Sequence, residues 1–298
     1  MDFDVVILTD KRYVNPEEKT PYVLNVLLED ELVQKALEKQ GLRCTRQAWD
    51  NPIFDWSSTR VALFRTTWDY FDRYNEFSRW LDMVSRQTQL INSGNLIRWN
   101  VDKHYLADLH NAGINIAPTL FIPIGSTQSL ATLHHSQDWS HTVLKPVVSG
   151  GGRHTYQLRQ DELASFEATF QSLILSESYM LQPFQKNIVT QGELSLIIID
   201  GQYTHAVKKI AKTGDFRVQD DFGGTVHPHA SSDAEIAFAE KAVAACLETP
   251  VYARVDMFYD NQDQLALAEL ELIEPELWFR VCPSAADRLA LAIKKLLP

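Results

Sequence analysis

Tyr252-Ala-Arg-Val-Asp256-Met-Phe258 and, after a short turn, Ala266-Leu-Ala-Glu269-Leu-Glu271-Leu-Ile-Glu274-Pro275 decide how this chain folds. Both runs alternate as strands do, with residues two apart on one face. The alternation predicts Glu269 beside Glu271, following Leu265 and Leu267 on that same face, with Asp256 opposite on the preceding strand. Adjacent carboxylates on an apolar surface repel unless a cation joins them. Three acidic side chains around a hard cation predict Mg²⁺ held for a phosphate-bearing substrate. A solvated acidic strand face is the plain alternative.

The chain has 298 residues, enough for two or three lobes rather than one small core. Hydrophobic residues make up 45% and charged residues 22%, which fits a soluble globular protein. A net charge of −11 argues against nucleic acid or an anionic membrane as the main partner. It leaves room for a nucleotide, which needs only a few local cations. Cys44, Cys246 and Cys282 show no paired metal spacing. Their odd number, with no signal peptide, predicts a cytoplasmic protein. No apolar run approaches the ~18 residues of a membrane span.

Outward from the acidic hairpin, the chain divides into three. Residues 1–95 alternate strand and helix: strands at 4–8, 43–49, 60–64 and 90–92, helices at 30–40 and 76–86. That order predicts a parallel α/β lobe. It carries no G-x-G-x-x-G after its first strand, so a dinucleotide site is weakly supported. Residues 96–180 read as a small α+β lobe, with helices at 101–112, 127–133 and 161–175 and a strand at 141–148. Residues 181–298 read as a larger α+β lobe, with strands at 193–199, 203–210, 251–258 and 264–273. Helices at 233–247 and 285–297 complete it. A cleft between the last two lobes is the expected ligand site.

Lys145 ends an apolar strand and precedes Ser149-Gly150-Gly151-Gly152-Arg153. Glycines let backbone N–H groups turn towards an anion, so the pair reads as a phosphate loop, or else as a flexible turn. It is no Walker A motif, because no Gly-Lys-Ser/Thr follows. Gln182-Pro-Phe184 is a linker that could offer backbone groups to a flat purine, and Glu193 could accept from ribose hydroxyls. Lys208, Lys209 and Arg217 form a basic cluster, either a solvated face or a flank for transferred phosphate. Arg65, Trp68 and Asp69 follow an N-lobe strand, where α/β sheets expose ligand loops. Arg254 shares a face with Asp256 and either neutralises it or touches substrate, and Glu274 lies just beyond the hairpin.

In their order these signals resemble the ATP-grasp superfamily, near its glutathione-synthetase-like and RimK-like branches. The matching pieces are Asn100-Val-Asp-Lys103, Leu144-Lys145-Pro146 with the glycine loop, Gln182-Pro-Phe184 and Gly192-Glu193. They continue through Phe216-Arg217, Gly223-Gly224, Asp256 and Glu269-Leu-Glu271. Arg65-Thr-Thr-Trp68-Asp69-Tyr70 and Trp99-Asn100-Val-Asp-Lys103 look like a subgroup that includes the cycloserine-forming ligase. The resemblance implies an ATP-grasp fold behind a Rossmann-like N-terminal lobe. It implies Lys103 and Lys145 on ATP phosphates, Gln182 and Phe184 on adenine, and Glu193 on ribose. Arg217 would lie near the reacting phosphate, and Asp256, Glu269 and Glu271 would bind two Mg²⁺, with Mn²⁺ as a substitute. Glu271 stands where many members carry Asn.

The implied chemistry is ATP-dependent ligation. A small-molecule carboxylate becomes an acyl phosphate, then an amine or similar nucleophile displaces phosphate. Lys145 and Arg217 carry the charge of transfer, and Arg65, Trp68, Asp69, Arg254 and Glu274 are candidates for substrate contact. Two other readings stay open: an ATP-binding module without turnover, and a kinase that stops at phosphoryl transfer. An oligomer is compatible with the sequence.

Overall fold

The protein is represented by a computed structural model that describes residues 1–215 and 223–297. The acidic hairpin belongs to one of three sheets found among the described residues.

The first sheet forms as its sequence order predicts. Strands β1 (Phe3–Thr9), β2 (Cys44–Ala48), β3 (Thr59–Thr66) and β4 (Gln89–Ile91) lie in the order β2-β1-β3-β4, all parallel. A one-turn helix α1 (Lys11–Val14), then α2 (Pro21–Lys39) and α3 (Tyr74–Val84), accompany them. The expected helix at 30–40 begins nine residues earlier, at Pro21. Thr20 caps it by accepting from the Val23 N–H at 3.3 Å, and proline suits a first helical turn.

The expected single helix over 101–112 is two, α4 (Gly94–Val101) and α5 (Tyr105–Asn111). Asp102 between them is extended, with φ −100° and ψ 119°. The break lets the Lys103 N–H donate to the Val147 carbonyl at 2.9 Å, so that one lysine leaves the helical path. Leu96, Tyr105, Leu106 and Leu109 pack into the core of the third sheet.

The second sheet is antiparallel, in the order β5-β8-β6-β7. It comprises β5 (Leu120–Ile122), β6 (His141–Pro146), β7 (Tyr156–Arg159) and β8 (Tyr179–Pro183). Helices α6 (Leu130–Gln137) and α7 (Leu163–Ile174) cover it. The α6 start moves from 127 to 130 because Ser129 is its cap, accepting from the Thr132 N–H at 3.1 Å.

After α8 (Lys186–Gln191), the third sheet takes the order β11-β10-β9-β12-β13, antiparallel throughout. Its strands are β9 (Glu193–Ile199), β10 (Gln202–Ile210), β11 (Thr225–His229), β12 (Tyr252–Tyr259) and β13 (Leu265–Glu271). Helices α9 (Asp233–Ala244) and α10 (Pro283–Leu296) flank it. One face carries Leu194, Leu196, Ile198, Ala253 and Val255 against α5 and α9. The other face changes character along its length. On β9 it reads Glu193, Ser195, Ile197, Ile199. The apolar end is sealed by α10 and the first sheet; the polar end stays open as the floor of a cavity.

The hairpin departs from simple alternation at one point. Asp256 pairs with Glu269, but Met257 pairs with Leu267, so Ala268 is a bulged extra residue. Leu267 therefore joins Leu270 and Leu272 in the core instead of sharing a face with Glu269. The bulge turns both glutamates onto the cavity floor. Among the described residues no helix is long and apolar enough to cross a membrane.

Candidate active site

A cavity of about 870 Å³ lies where the three sheets meet. That is room for a nucleotide with a small second ligand. Its roof is the second sheet, with Lys145, the glycine loop and the 182–185 segment. Its floor is the third sheet, with Glu193, Lys209, Arg254, Asp256, Glu269 and Glu271. Its far end is the first sheet, with Tyr13, Tyr22 and Trp68 near Glu274 and Glu276.

The floor is a ladder of alternating charge. Lys209 Nζ lies 2.5 Å from Glu193 and 3.1 Å from Asp256. Arg254 clamps Asp256 at 2.8–3.1 Å and also pairs with Glu271. Ser195 donates to Asp256 at 2.5 Å. Lys103 bridges roof and floor, donating to the Ser149 carbonyl at 2.6 Å and pairing with Glu269 at 3.0 Å. So the cations that join these acids here belong to the chain itself. Arg254 acts as a neutralising partner.

Burial shapes the titration of the group. Burial raises the Asp256 carboxyl, but Arg254 and Lys209 overcome it and hold the group well below the carboxylate range. Burial likewise opposes ionisation of Glu269, yet Lys103 and Lys145 lower it. Glu271 goes the other way, to about 7: burial and the nearby Asp256 and Glu269 outweigh Arg254. Glu274 reaches about 8 through burial and the charges of Glu271 and Glu269. Burial lowers Lys145, and no described carboxylate lies within ion-pair distance of it.

A divalent cation fits this chemistry in a modified form. Hard oxygen donors and two upshifted glutamates mark an excess of negative charge. Yet no three described His, Cys, Asp or Glu side chains converge closely enough to hold a metal. Among the described residues the three-carboxylate cage expected from the sequence is not formed: Asp256 pairs with Arg254 and Lys209, Glu269 with Lys103 and Glu271 with Arg254. Mg²⁺ usually takes one or two carboxylates and completes its shell with phosphate oxygens and water.

The other expected residues sort plainly. Gly151 and Gly152 have φ of +56° and +69°, conformations glycine adopts without strain. Gln182 and Phe184 line the cavity, and the Phe184 N–H is already committed, while its carbonyl, which can accept twice, has one bond among the described residues. Its N–H donates to the His141 carbonyl at 2.9 Å, and its carbonyl accepts from Asn261 at 2.9 Å. It also offers a ring, stacked on His141 at 4.1 Å. Trp68 and Glu274 line the far end, joined by Trp68 Nε1 donating to the Glu274 carbonyl at 2.9 Å.

Arg65 and Asp69 do not reach the cavity. Arg65 is 1% exposed and held between Glu29, Asp30 and the Pro275 carbonyl. Asp69 accepts from Trp49 Nε1 at 2.7 Å and from Arg73 at 2.8 Å. Arg217 lies outside the described residues. His205 is structural, with Nε2 2.9 Å from the Leu277 carbonyl.

Sequence reading missed Arg12, Tyr13, Tyr22, Phe71, Glu276 and Trp278 on the cavity wall. One signal was there: Arg12 and Tyr13 follow the C-terminal end of β1, where parallel sheets present ligand loops.

A cavity between two antiparallel sheets, lined by a glycine loop and lysine above and acids below, defines an ATP-grasp enzyme. The comparisons agree. Residues 5–92 match the model of the D-cycloserine synthetase DcsG N-terminal domain, and residues 115–253 that of the prokaryotic glutathione synthetase ATP-grasp domain. The cycloserine biosynthesis protein DcsG of Streptomyces lavendulae is 30% identical over 84% of this chain and 87% of its own length. The crystal structure of D-cycloserine synthetase DcsG superposes with a TM-score of 0.86 at 26% identity, covering 99% of both chains. A RimK-domain ATP-grasp protein from Sphaerobacter thermophilus shares the fold, with a TM-score of 0.68 at 13% identity over 99% of this chain and 100% of its own. The chain belongs to the ATP-grasp ligases, in the DcsG family, and is an ATP-dependent carboxylate–amine ligase.

Proposed function

We propose that the cavity binds ATP with its phosphates between Lys103, Lys145 and the glycine loop. Adenine lies against Phe184 and Gln182, and the ribose near Glu193. The carrying observation is the meeting of Lys145, without a carboxylate partner among the described residues, with the acidic floor across one cavity. A half-buried ammonium near Glu269 but with no ion pair at contact distance is poorly compensated, and a triphosphate supplies the missing contact charge.

Asp256, Glu269 and Glu271 are the residues that would hold Mg²⁺, with two ions as the fuller reading and Mn²⁺ as a substitute. The metal, when bound, neutralises phosphate charge. Lys145 and Lys103 hold the transferred phosphate beside the acceptor, and Arg217 is assigned the same task. A substrate carboxylate oxygen attacks the γ-phosphorus and ADP leaves. The acyl phosphate is then attacked by an amine, which expels phosphate. Orientation alone contributes roughly 7–11 kcal/mol in favourable cases. Trp68 and Glu274, with Tyr13 and Tyr22 beside them, form the substrate end, and a small-molecule substrate suits its size. Of the three lobes read from the sequence, 1–95 supplies the far wall, 96–180 most of the roof and 181–298 most of the floor, with the boundary moved past β8, whose last residues, to Pro183, belong to the roof sheet.

Titrating the protein with ATP or ADP at millimolar Mg²⁺ in a calorimeter tests this reading. Saturable binding, weakened in Lys145→Ala, is expected. Absence of affinity for any adenine nucleotide overturns it.

A further inference from the structure

The glycine loop does not hang free over the cavity. Gly150 lies directly on the ring of Phe71, so closely that an added Cβ would sit 2.5 Å from Phe71 Cε1. Gly150 does not have a positive φ, so it is this ring, not the backbone, that demands glycine.

Arg153, three residues on, makes a second contact in the same direction. Its two terminal nitrogens grip Glu177 of its own lobe at 2.9 and 2.7 Å. Its remaining edge faces the first lobe. Nε lies 3.4 Å from Asp72 Oδ1 and is buried without a hydrogen bond. A buried donor in that state costs free energy until its acceptor closes in.

Phe71 and Asp72 follow Trp68 and Tyr70 in one short segment. Trp68 donates to the Glu274 carbonyl, and the Tyr70 hydroxyl lies beside the Glu274 carboxyl. One segment thus touches the substrate end of the cavity and the loop at its phosphate end.

We propose that Phe71 and Asp72 are positioning residues for the ligase reaction, seating the glycine loop on the N-terminal lobe and so linking occupancy of the substrate end to closure over the phosphates. This rests on the reading of that loop as phosphate-binding. Closure of this kind would keep water from an acyl phosphate until the amine arrives.

The test is the dissociation rate of a fluorescent ADP analogue with Mg²⁺ from the full chain, followed by stopped flow. Phe71→Ala, Asp72→Asn and Gly150→Ala each speed release about tenfold, since loss of a holding contact acts mainly on the off-rate. Gly150→Ala adds nothing further in the Phe71→Ala background, where the methyl group has room. Asp72→Glu keeps most of the wild-type rate. Added salt speeds release from the wild type more than from Asp72→Asn, because Asp72 is exposed. Should Phe71→Ala destabilise the lobe, Phe71→Leu keeps apolar packing and still removes the ring edge. Additive effects of Gly150→Ala and Phe71→Ala overturn the proposal. So do unchanged rates in all three variants while Lys145→Ala accelerates release. If Lys145→Ala also leaves the rate unchanged, the phosphate-loop reading itself fails and the proposal goes with it.

Discussion

Lys103 Nζ sits 3.0 Å from Glu269 Oε1 and 2.6 Å from the Ser149 carbonyl, so one ammonium ties the acidic floor to the glycine loop. The lysine side chain is 7% exposed, so its partners are protein groups rather than solvent. Glu269→Ala therefore strips a counter-charge as well as a candidate metal ligand. We expect the nucleotide-free variant to lose roughly 1–3 kcal/mol, the cost of a buried group left short of a partner. Glu269→Gln keeps an oxygen acceptor and should lose less. Both variants should lose the Mg²⁺ dependence of ADP binding and most turnover. Thermal melts beside calorimetry with and without Mg²⁺ separate the two effects, and wild-type turnover in either variant would remove Glu269 from the site.

Lys145 should behave in the opposite sense. Burial lowers its pKa without an ion pair to repay the cost. Lys145→Ala should leave the melting temperature of the free protein undiminished. Nucleotide affinity should fall by about tenfold to a hundredfold, the worth of a charged hydrogen bond. A calorimetric titration with ADP and Mg²⁺ checks the second statement, and differential scanning calorimetry the first.

Arg65 is expected to matter for the fold. It stacks over Phe279 at 5.2 Å, faces Glu29 at 3.9 Å and Asp30 at 3.8 Å, and donates to the Pro275 carbonyl at 3.2 Å. Glu29 in turn accepts from the Phe279 and Arg280 N–H groups at 2.8 and 2.9 Å. Arg65→Met would take one of two cations from each carboxylate, since Arg46 stays on Asp30 at 2.6 Å and Arg280 on Glu29 at 3.1 Å, and would leave the Pro275 carbonyl unpaired, a loss of about 1–3 kcal/mol. Urea unfolding should show it, while nucleotide affinity of the folded fraction stays at the wild-type value.

These cases show where the sequence was legible. Segments whose periodicity is local could be read directly: the apolar β1, the amphipathic α3 and the alternating end of β9 each carry their pattern in plain view. A strand-ending lysine that runs into a glycine turn was also legible, and both lie on the cavity wall. What failed was anything decided by a partner distant in the chain. Arg65 looks like a ligand residue until Glu29 and Asp30 are seen beside it. Ala268 looks like an ordinary strand residue, and only its cross-strand register shows that it is the bulge. The Lys103 break in the helical pattern depends on Val147, 44 positions away. The Phe184 N–H looked available because nothing local says that the His141 carbonyl occupies it.

The last expectation concerns pH. His134 is 2% exposed between α6 and β6, with Nδ1 3.1 Å from the Trp139 carbonyl and Nε2 2.9 Å from Thr142 Oγ1. The contacts suit a neutral ring that donates at Nδ1 and accepts at Nε2. Burial lowers its pKa below the ordinary 6.5, and the Trp139 carbonyl offsets this only in part. The unfolded chain then binds a proton that the folded chain refuses. The stability contributed by His134 is complete above about pH 6.5 and is lost as pH falls below it. Glu271 and Glu274 titrate in the same range with the opposite sign, because their pKa values are raised. A difference measurement cancels them. The melting temperature of the wild type minus that of His134→Gln should be constant between pH 7 and 8, within roughly a degree, and shrink steadily towards pH 5. A difference that is flat across the whole range would mean that His134 takes up its proton in the folded state as readily as in the unfolded chain.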